Sequence, residues 1–506
     1  MKLILNLVKN FKGIIFETVI FKNKKKINAS KIFEIIDESF HMELRDIKIS
    51  IIEYHLKRLN INKSFKNFLF NQLFLLDKGI HRKARLIKYL LDRKIHINKI
   101  YAPFLSKNEY SLFAKFNLNV KKLKTTTDIF FPLSMILLII KVFKIHSKSM
   151  KCLPPEKSRF NPKIKYYTLI RAQGERPENI YRNKHNKSLD NTIIQLHPNF
   201  DGKYISKQQK NYINYLNKNE RNYFFYHQKI NYFYTLKKGI KIYFSSFPKN
   251  IKKSLFKIII KSQQIDDLIN YLNIQFPDLQ ECYSIEESRP SSIYLNEKLK
   301  KSKIKTINTA HGLGIYAPIV NYDVFYVFSK IQRNFYKGPS EFKYFNSIKQ
   351  LYKKELSLKK KIALLFICSY TFTPTYKEVI SYIEKIAKKN IIQVYAKYHP
   401  HTKETDRYLS KNIVIVEDIE NLPPDNNYLA VTLYSTYVVE LLNKMPFLII
   451  NPHNQINMDF IFPPDDFMYV KNYDMFEKIV EKFVRNPKNY IQYWENMVVL
   501  FQEYCF

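Results

Sequence analysis

Between residues 280 and 455 the chain repeats one pattern: a short apolar run that ends in polar residues, followed by a helical stretch. Cys282–Ile285, Ile304–Thr309 and Val324–Ser329 are such runs, and Ile362–Ile367, 391–398, 412–416, 428–433 and 446–450 are five more. A run of four to eight consecutive apolar residues has no polar face to turn to water, so it predicts a strand covered on both sides. Strands of that kind, joined by helical crossovers, build parallel sheets. The expected fold class is α/β, with two Rossmann-like lobes. The first spans residues 163–345 and includes strands at Lys163–Ile170 and Asn191–Leu196, while residues 205–272 read as mainly helical. The second spans 346–480, with helices at 376–389, 436–444 and 473–484. A C-terminal helix within 481–506 is expected to pack back across the first lobe.

Residues 1–150 follow a different rhythm. Apolar residues recur there at three- and four-residue intervals over 30–59, 64–77 and 84–94, which predicts a mainly helical, basic N-terminal module. Lys151–Pro162, with three prolines, is the natural linker. The longest apolar stretch, Ile129–Ile140, is too short to span a bilayer. With Lys121, Lys122, Lys124, Lys141, Lys144 and Lys148 around it, the stretch suits a shallow interfacial helix, and a buried core helix is the alternative. Lys9, Lys12 and Glu17 interrupt the first apolar residues, so no signal peptide is expected.

Charge narrows the partners. The 84 Lys and Arg against 44 Asp and Glu give +40, which suits nucleic acid, anionic lipid or a phosphorylated substrate. With 8 Gly and 1 Trp beside abundant Lys, Asn, Ile, Phe and Tyr, the chain also carries the mark of AT-rich coding, which inflates Lys. Its basic residues are spread along the whole length without a compact arginine-rich segment, so nucleic acid is not expected as a partner and an anionic membrane surface is. Cys152, Cys282, Cys368 and Cys505 are far apart and predict neither a zinc site nor a disulfide scaffold, as in a reducing compartment.

Ligands of parallel sheets bind beyond the carboxyl ends of the strands, and three polar motifs fall there. Ala310-His311-Gly312-Leu313-Gly314 follows the run at 304–309; Gly312 and Gly314 would let backbone amides approach a ligand, and the His311 imidazole could serve as acid or base. Lys397-Tyr398-His399-Pro400 ends the strand at 391–398, with Pro400 fixing the turn. Tyr434-Ser435-Thr436 leads into the helix holding Glu440, where hydroxyls and helix N-terminal amides could bind an anion. Each motif also has a plain structural reading: a strand-end histidine, or an N-cap. No metal site is expected, because His399, His401, Glu404 and Asp406 lack a fixed ligand spacing and Asp465-Asp466 after two prolines reads as a turn. No cofactor is called for either.

Taken in order, TINTAHGLGIYAPIVNYDVFYVFS, AKYHPHT and LAVTLYSTYVVELLNKMPFLIIN resemble the His-Gly, Lys-x-His-Pro and Ser-Ser or Ser-Thr segments of bacterial GT-B surface-polysaccharide glycosyltransferases of the sialyl, polysialyl and Kdo type. They are similar as well to the glycerophosphotransferases that polymerise teichoic acid. The likeness covers about 280–455. It implies a GT-B-like fold, a donor phosphate bound by His399, Ser435 and Thr436, and Glu440 near the nucleotide ribose or base. The sialyl-type families also use an acidic base in the first lobe, in a short acidic-acidic-glycine motif that this sequence lacks. The nearest candidates are Glu286 and Glu287, with Glu287 preferred, and Glu175; a solvated loop pair is the plain reading of Glu286 and Glu287. In the glycerophosphotransferase likeness His311 is itself the base. His197-Pro198 has no donor-site context and reads as structural.

The expected activity is therefore transfer of a sugar from a nucleotide-activated donor, CMP-linked sugars among the candidates, to a surface glycan or lipid-linked acceptor. It would be metal-independent, with Lys397 and His399 balancing phosphate charge, and would take place on the cytoplasmic face of the membrane. Closure of the lobes would align the attacking hydroxyl and exclude water. Polyol-phosphate transfer from a CDP-alcohol is the alternative. A non-catalytic glycan- or lipid-binding scaffold is the reading from outside enzymology.

Overall fold

The computed structural model describes residues 19–22, 25–28, 42–57, 59, 61–92, 99–101, 110–118, 123–124, 140, 158–172, 174–196, 207–226, 231–243, 249–287, 289–311, 317–344, 360–368, 374–389, 391–399, 409–433, 435, 437–442, 444–452 and 466–505. The apolar stretch at 129–139, His197-Pro198 and Asp465 lie outside them.

The N-terminal part holds three helices, α1 (Met42–Leu56), α2 (Lys63–Leu76) and α3 (Lys78–Asp92), at the places where the three- and four-residue periodicity put them. It also holds a four-stranded sheet in the order β2-β1-β3-β4, formed by β1 (Val19–Lys22), β2 (Lys25–Asn28), β3 (Lys99–Tyr101) and β4 (Leu123–Lys124). That sheet is absent from the helical expectation, because strands of two to four residues are too short to display a period of two. A short helix, α4 (Tyr110–Ala114), lies between β3 and β4.

The first lobe is a seven-stranded sheet ordered β11-β10-β9-β8-β5-β6-β7. Its strands are β5 (Thr168–Ala172), β6 (Thr192–Leu196), β7 (Tyr223–Phe225), β8 (Glu281–Ser284), β9 (Lys305–Thr309), β10 (Val324–Val327) and β11 (Glu341–Tyr344). From β10 to β7 every pairing is parallel. The chain starts in the middle, winds outward through β6 and β7, then returns to the other side of β5 to lay down β8, β9 and β10. This is the doubly wound order, whose winding reverses between β5 and β8. Side-chain alternation divides the core between two faces. Leu169, Ile193 and Cys282, in register across β5, β6 and β8, belong to one cluster; Ile170, Ile194 and Tyr283, one residue on, belong to the other. The second cluster is closed by Tyr212, Ile213 and Leu216 of α6 (Lys207–Lys218).

The first cluster is closed by α8 (Lys249–Gln275), by α9 (Ser292–Lys301) and by the N-terminal helices themselves. Phe65 and Phe68 of α2 pack on the Tyr294 ring at centroid distances of 5.4 and 6.3 Å. The fully buried Asn71 of α2 donates to the carbonyl of Ile319 (2.8 Å) and accepts from its amide (3.3 Å). Residues up to His311 accordingly cluster as one unit, where the sequence reading separated a module at 1–150 from a lobe beginning at 163. Apolar faces on α1–α3 could be read from the sequence, but not the surface they cover. The aromatic strand β7 was missed among the Tyr, Lys and Asn residues of the stretch read as helical.

The second lobe repeats the winding. Its parallel sheet runs β14-β13-β12-β15-β16-β17, built from β12 (Lys361–Ile367), β13 (Gln393–Lys397), β14 (Val414–Ile415), β15 (Asn426–Thr432), β16 (Phe447–Ile450) and β17 (Tyr469–Val470). The central strands are buried on both faces, as their unbroken apolar runs require. Helices α11 (Pro374–Lys388) and α13 (Tyr473–Arg485) match their predicted spans closely. The last helix, α14 (Pro487–Cys505), expected across the first lobe, is fastened to this one by three aromatic donors: Tyr490 and Tyr493 give their hydroxyl protons to the carbonyls of Tyr428 (2.7 Å) and Phe447 (2.8 Å), and the Trp494 indole N–H goes to Leu442 (2.7 Å).

A chain with 8 glycines must turn by other means. Asn117, Asn186, Asn191, Glu220 and Lys303 all sit at φ between 50° and 61°. Lys303 follows α9 at the position where glycine is usual, with the Ile304 amide closing back onto Leu299 at 2.9 Å. An exposed lysine side chain gains nothing there and strains the backbone. Lys303→Gly is expected to raise unfolding stability by about 0.5–1 kcal/mol, seen as a higher urea midpoint with an unchanged denaturant slope.

Candidate functional site

In the first lobe, polar residues collect at the carboxyl edge where the winding reverses. Arg171, next to last in β5, is buried and donates through Nε to Glu286 at 2.9 Å, and Arg289 Nη1 reaches the same carboxylate at 2.9 Å. Lys261 of α8 adds a third cation, held down to about 8 by burial and by the neighbouring Arg289 and Arg171 charges. A carboxylate so placed stays ionised, because losing its charge would leave buried guanidinium groups uncompensated.

Glu287 is in a different position. It is fully buried, and its carboxyl oxygens take the side-chain amide of Asn308 at 3.1 Å and the backbone N–H of His311. Burial pushes it up to about 7, against the lowering pull of those two donors and of Arg176. Asn308, buried in β9, is the hub: its Oδ1 accepts from Ser284 Oγ (3.0 Å) and from the Glu286 amide (2.8 Å) while its Nδ2 serves Glu287. Beside it the Thr309 hydroxyl accepts from Tyr283 (2.9 Å) and meets His185 Nε2 at 3.0 Å. His185 is held down to about 4, chiefly by burial and then by the Lys187 charge, so its ring is neutral and can accept the Thr309 proton.

Glu287 and His311, proposed from separate motifs, are thus brought together at adjacent strand ends. Neither Glu286 nor Glu287 is a solvated loop residue. Glu175, the third acidic candidate, is exposed ahead of α5 (Arg176–Asn179). His311 is exposed although its own amide is pinned from inside. Arg171, His185, Arg289 and Asn308 were not singled out. The available signal was an arginine and an asparagine near the carboxyl ends of runs otherwise suited to a buried strand.

In the second lobe the proposed residues also lie along the carboxyl edge. Lys397 ends β13, and the half-buried His399 follows two residues later. Half-buried Ser435 follows β15, with its amide donating to Thr432 Oγ1 at 3.0 Å. Strand β12 lies between β13 and β15, pairing Ile367 with Lys397 and Phe366 with Val431, so the two strand ends are level and two strand spacings, roughly 10 Å, apart. Ser435 falls where this second winding reverses. Gly312, Pro400 and Thr436 lie outside the described residues.

Two expectations change. Lys397 Nζ donates to the Glu417 carbonyl (2.7 Å) and pairs with Asp418 (3.3 Å), so its charge is already engaged by the turn at 417–418. The helix ending in Glu440, expected over 436–444, is only α12 (Tyr437–Glu440). The short connection to β16 leaves it four residues, too few for aligned peptide dipoles to build an anion site. A cavity of about 230 Å³ lies elsewhere, lined by Asp190, Asn191, Thr192, Glu220, Arg221 and Asn222 at the amino ends of β6 and β7. Among the described residues no three His, Cys, Asp or Glu side chains gather as a metal site would require.

No protein-family model matches this chain, and no curated protein matches it. Among solved structures it is similar to TarM (12% identity, TM-score 0.38, 68% of this chain and 97% of that one). It is also similar to a glycosyltransferase from Rickettsia africae ESF-5 (11%, 0.36, 67% and 94%) and to a UDP-N-acetylglucosamine 2-epimerase from Rickettsia bellii (15%, 0.34, 67% and 94%). The two-lobed assignment rests on the strand order and register of the chain itself.

Two opposite pH dependences follow. Glu287 binds its proton more tightly folded than unfolded, so its contribution is complete below about 4.5 and is lost as pH rises through about 7. Wild type should lose stability relative to Glu287→Gln across that window, by an amount on the order of 3 kcal/mol. His185 has a depressed value, so its contribution is present above about 6.5 and is lost as pH falls through about 4. His185→Asn should flatten that acid limb in melting curves taken against pH.

Proposed function

We propose that this chain is a GT-B-type glycosyltransferase acting on a nucleotide-activated sugar, CMP-linked sugars among the candidates, with a surface glycan or lipid-linked acceptor at the membrane face. The observation that carries the reading is that both doubly wound sheets hold proton-carrying or anion-binding side chains at their carboxyl edges: Glu287 and His311 in one, His399 and Ser435 in the other. That edge is where such sheets take their ligands. The +40 charge supports anionic partners on both sides of the reaction.

In this reading the acceptor hydroxyl oxygen attacks the anomeric carbon, its bond to the nucleotide phosphate breaks, and the hydroxyl proton passes to the exposed His311 imidazole. Glu287 is sealed from solvent and acts as a positioning residue, holding the His311 backbone in place through the amide. His399 donates to the departing phosphate, and the Ser435 hydroxyl binds it. Lys397 is left out because Glu417 and Asp418 hold it. With these donors the phosphate charge is met by protein groups, and the reaction is read as metal-independent.

A second reading shares that base. With Glu287 enclosed and His311 exposed, the base is the one that polyol-phosphate transfer from a CDP-alcohol would use. In that case the same hydroxyl attacks phosphorus and CMP departs.

The test is nucleotide release from a panel of sugar nucleotides and from CDP-glycerol, with and without a chelator. His311→Ala and His399→Ala should each lower kcat about 10²–10⁴-fold, while Glu287→Gln should shift the pH profile. Release from CDP-glycerol alone selects the second reading. If the enzyme turns over a donor while both histidine variants keep full activity, this assignment of roles fails.

A further inference from the structure

Helix α7 (Tyr232–Tyr243) is assembled the wrong way round for a helix on a soluble surface. A surface helix normally turns its bulky apolar stripe inward and its small or polar residues outward. The inward stripe of α7 is Thr235, Gly239 and Ile242, buried against α8. The fit is close: a Cβ on Gly239 would lie 2.7 Å from the Phe256 ring, and Thr235 is held by Gln263 Nε2 at 3.0 Å and by the Asn231 carbonyl at 2.8 Å. The bulky residues point outward instead. Phe233 is 89% exposed, Ile240 51% and Leu236 43%. Spaced three and seven residues from Phe233, Leu236 and Ile240 complete one apolar stripe along the outer face.

Beside that stripe, one step around the helix, stand the exposed Lys237 and Lys241, then Tyr234 with Lys238 over its ring at 5.3 Å. From Arg221 to Ile265 the chain has ten Lys and Arg and no Asp or Glu. An apolar stripe flanked by lysines, with no acidic residue on the element or its connections, is the chemistry of a surface that enters the interfacial layer of an anionic membrane. A protein partner would be equally served by uncharged polar residues around the stripe.

We infer that the outer face of α7 is a membrane-docking surface: Phe233, Leu236 and Ile240 enter the headgroup layer of a bilayer, and Lys237, Lys238 and Lys241 meet the phosphates of anionic lipids. Among the described residues no helix is long and apolar enough to cross a membrane, so α7 is assigned contact with one surface. The inference deepens the membrane element of the proposed function by naming where contact is made. It does not depend on the transfer chemistry.

The experiment uses the full chain without nucleotide, co-sedimented with phosphatidylcholine vesicles that contain or lack phosphatidylglycerol. Wild type is expected to bind the anionic vesicles. Lys237→Glu/Lys241→Glu and Phe233→Ser/Ile240→Ser should each weaken binding at least about tenfold with melting temperatures unchanged. The conservative Phe233→Trp adds a second tryptophan to the buried Trp494, and its emission should shift to the blue and be quenched by brominated lipid. Absence of vesicle binding, binding that both double variants retain, or an unquenched Trp at 233 overturns the inference. So does a self-association of the chain that Phe233→Ser/Ile240→Ser abolishes, since the stripe would then belong to a second copy. A nucleotide-induced melting shift that survives in the α7 variants keeps this outcome separate from the fate of the transferase reading.

Discussion

Parallel pairing is the constraint on which the rest of this structure depends. Because β5 through β10, and again β12 through β17, run in one direction, every strand must be followed by a return to the far end of the sheet. All the carboxyl-end loops therefore leave from one edge. Winding outward from the middle then opens a gap between β5 and β8, and another between β12 and β15, where neighbouring loops diverge. Glu286 and Glu287 stand at the first reversal and Ser435 at the second. The positions of the candidate groups follow from chain direction before any contact between them is considered.

That edge has an electrostatic cost in the first lobe. Arg171, Arg289 and Lys261 surround one ionised carboxylate in a buried setting, where desolvation opposes every charge and only close pairing offsets it. Glu287, one residue on, has no cation in hydrogen-bond contact among the described residues and is satisfied by amides, so burial moves it toward the neutral form. Two adjacent glutamates thus differ in character because Asn308 and His311 face one and two arginines face the other. The same arrangement fixes the backbone that presents His311.

Much of this was legible beforehand. Unbroken apolar runs at Ile362–Ile367 and 428–433 specified central strands, and β12 and β15 lie there; the polar residues after each run marked the edge on which ligands are expected. Helices α11, α13 and α14 were visible through their periodicity. Less visible were β7, three aromatic residues at a sheet edge, and the N-terminal sheet, whose strands carry too few residues to show a pattern. The scarcity of glycine was also a signal. It left Asn, Glu and Lys to take the left-handed turns that glycine usually takes.

What the sequence determined by itself is local: which residues must be hidden, with what period, and where each run gives way to polar residues. These follow from side-chain hydrophobicity and backbone geometry within a few positions. Tertiary structure decided what each exposed or buried group meets. It set Glu286 against two arginines, Glu287 under the His311 amide, Lys397 on the turn at 417–418, and α1–α3 on the first lobe. Apart from Glu286 and Arg289, which are three positions apart, those pairings join residues tens to hundreds of positions apart. A strand's own composition does not name its neighbour, and the energy of a buried charge depends on that neighbour.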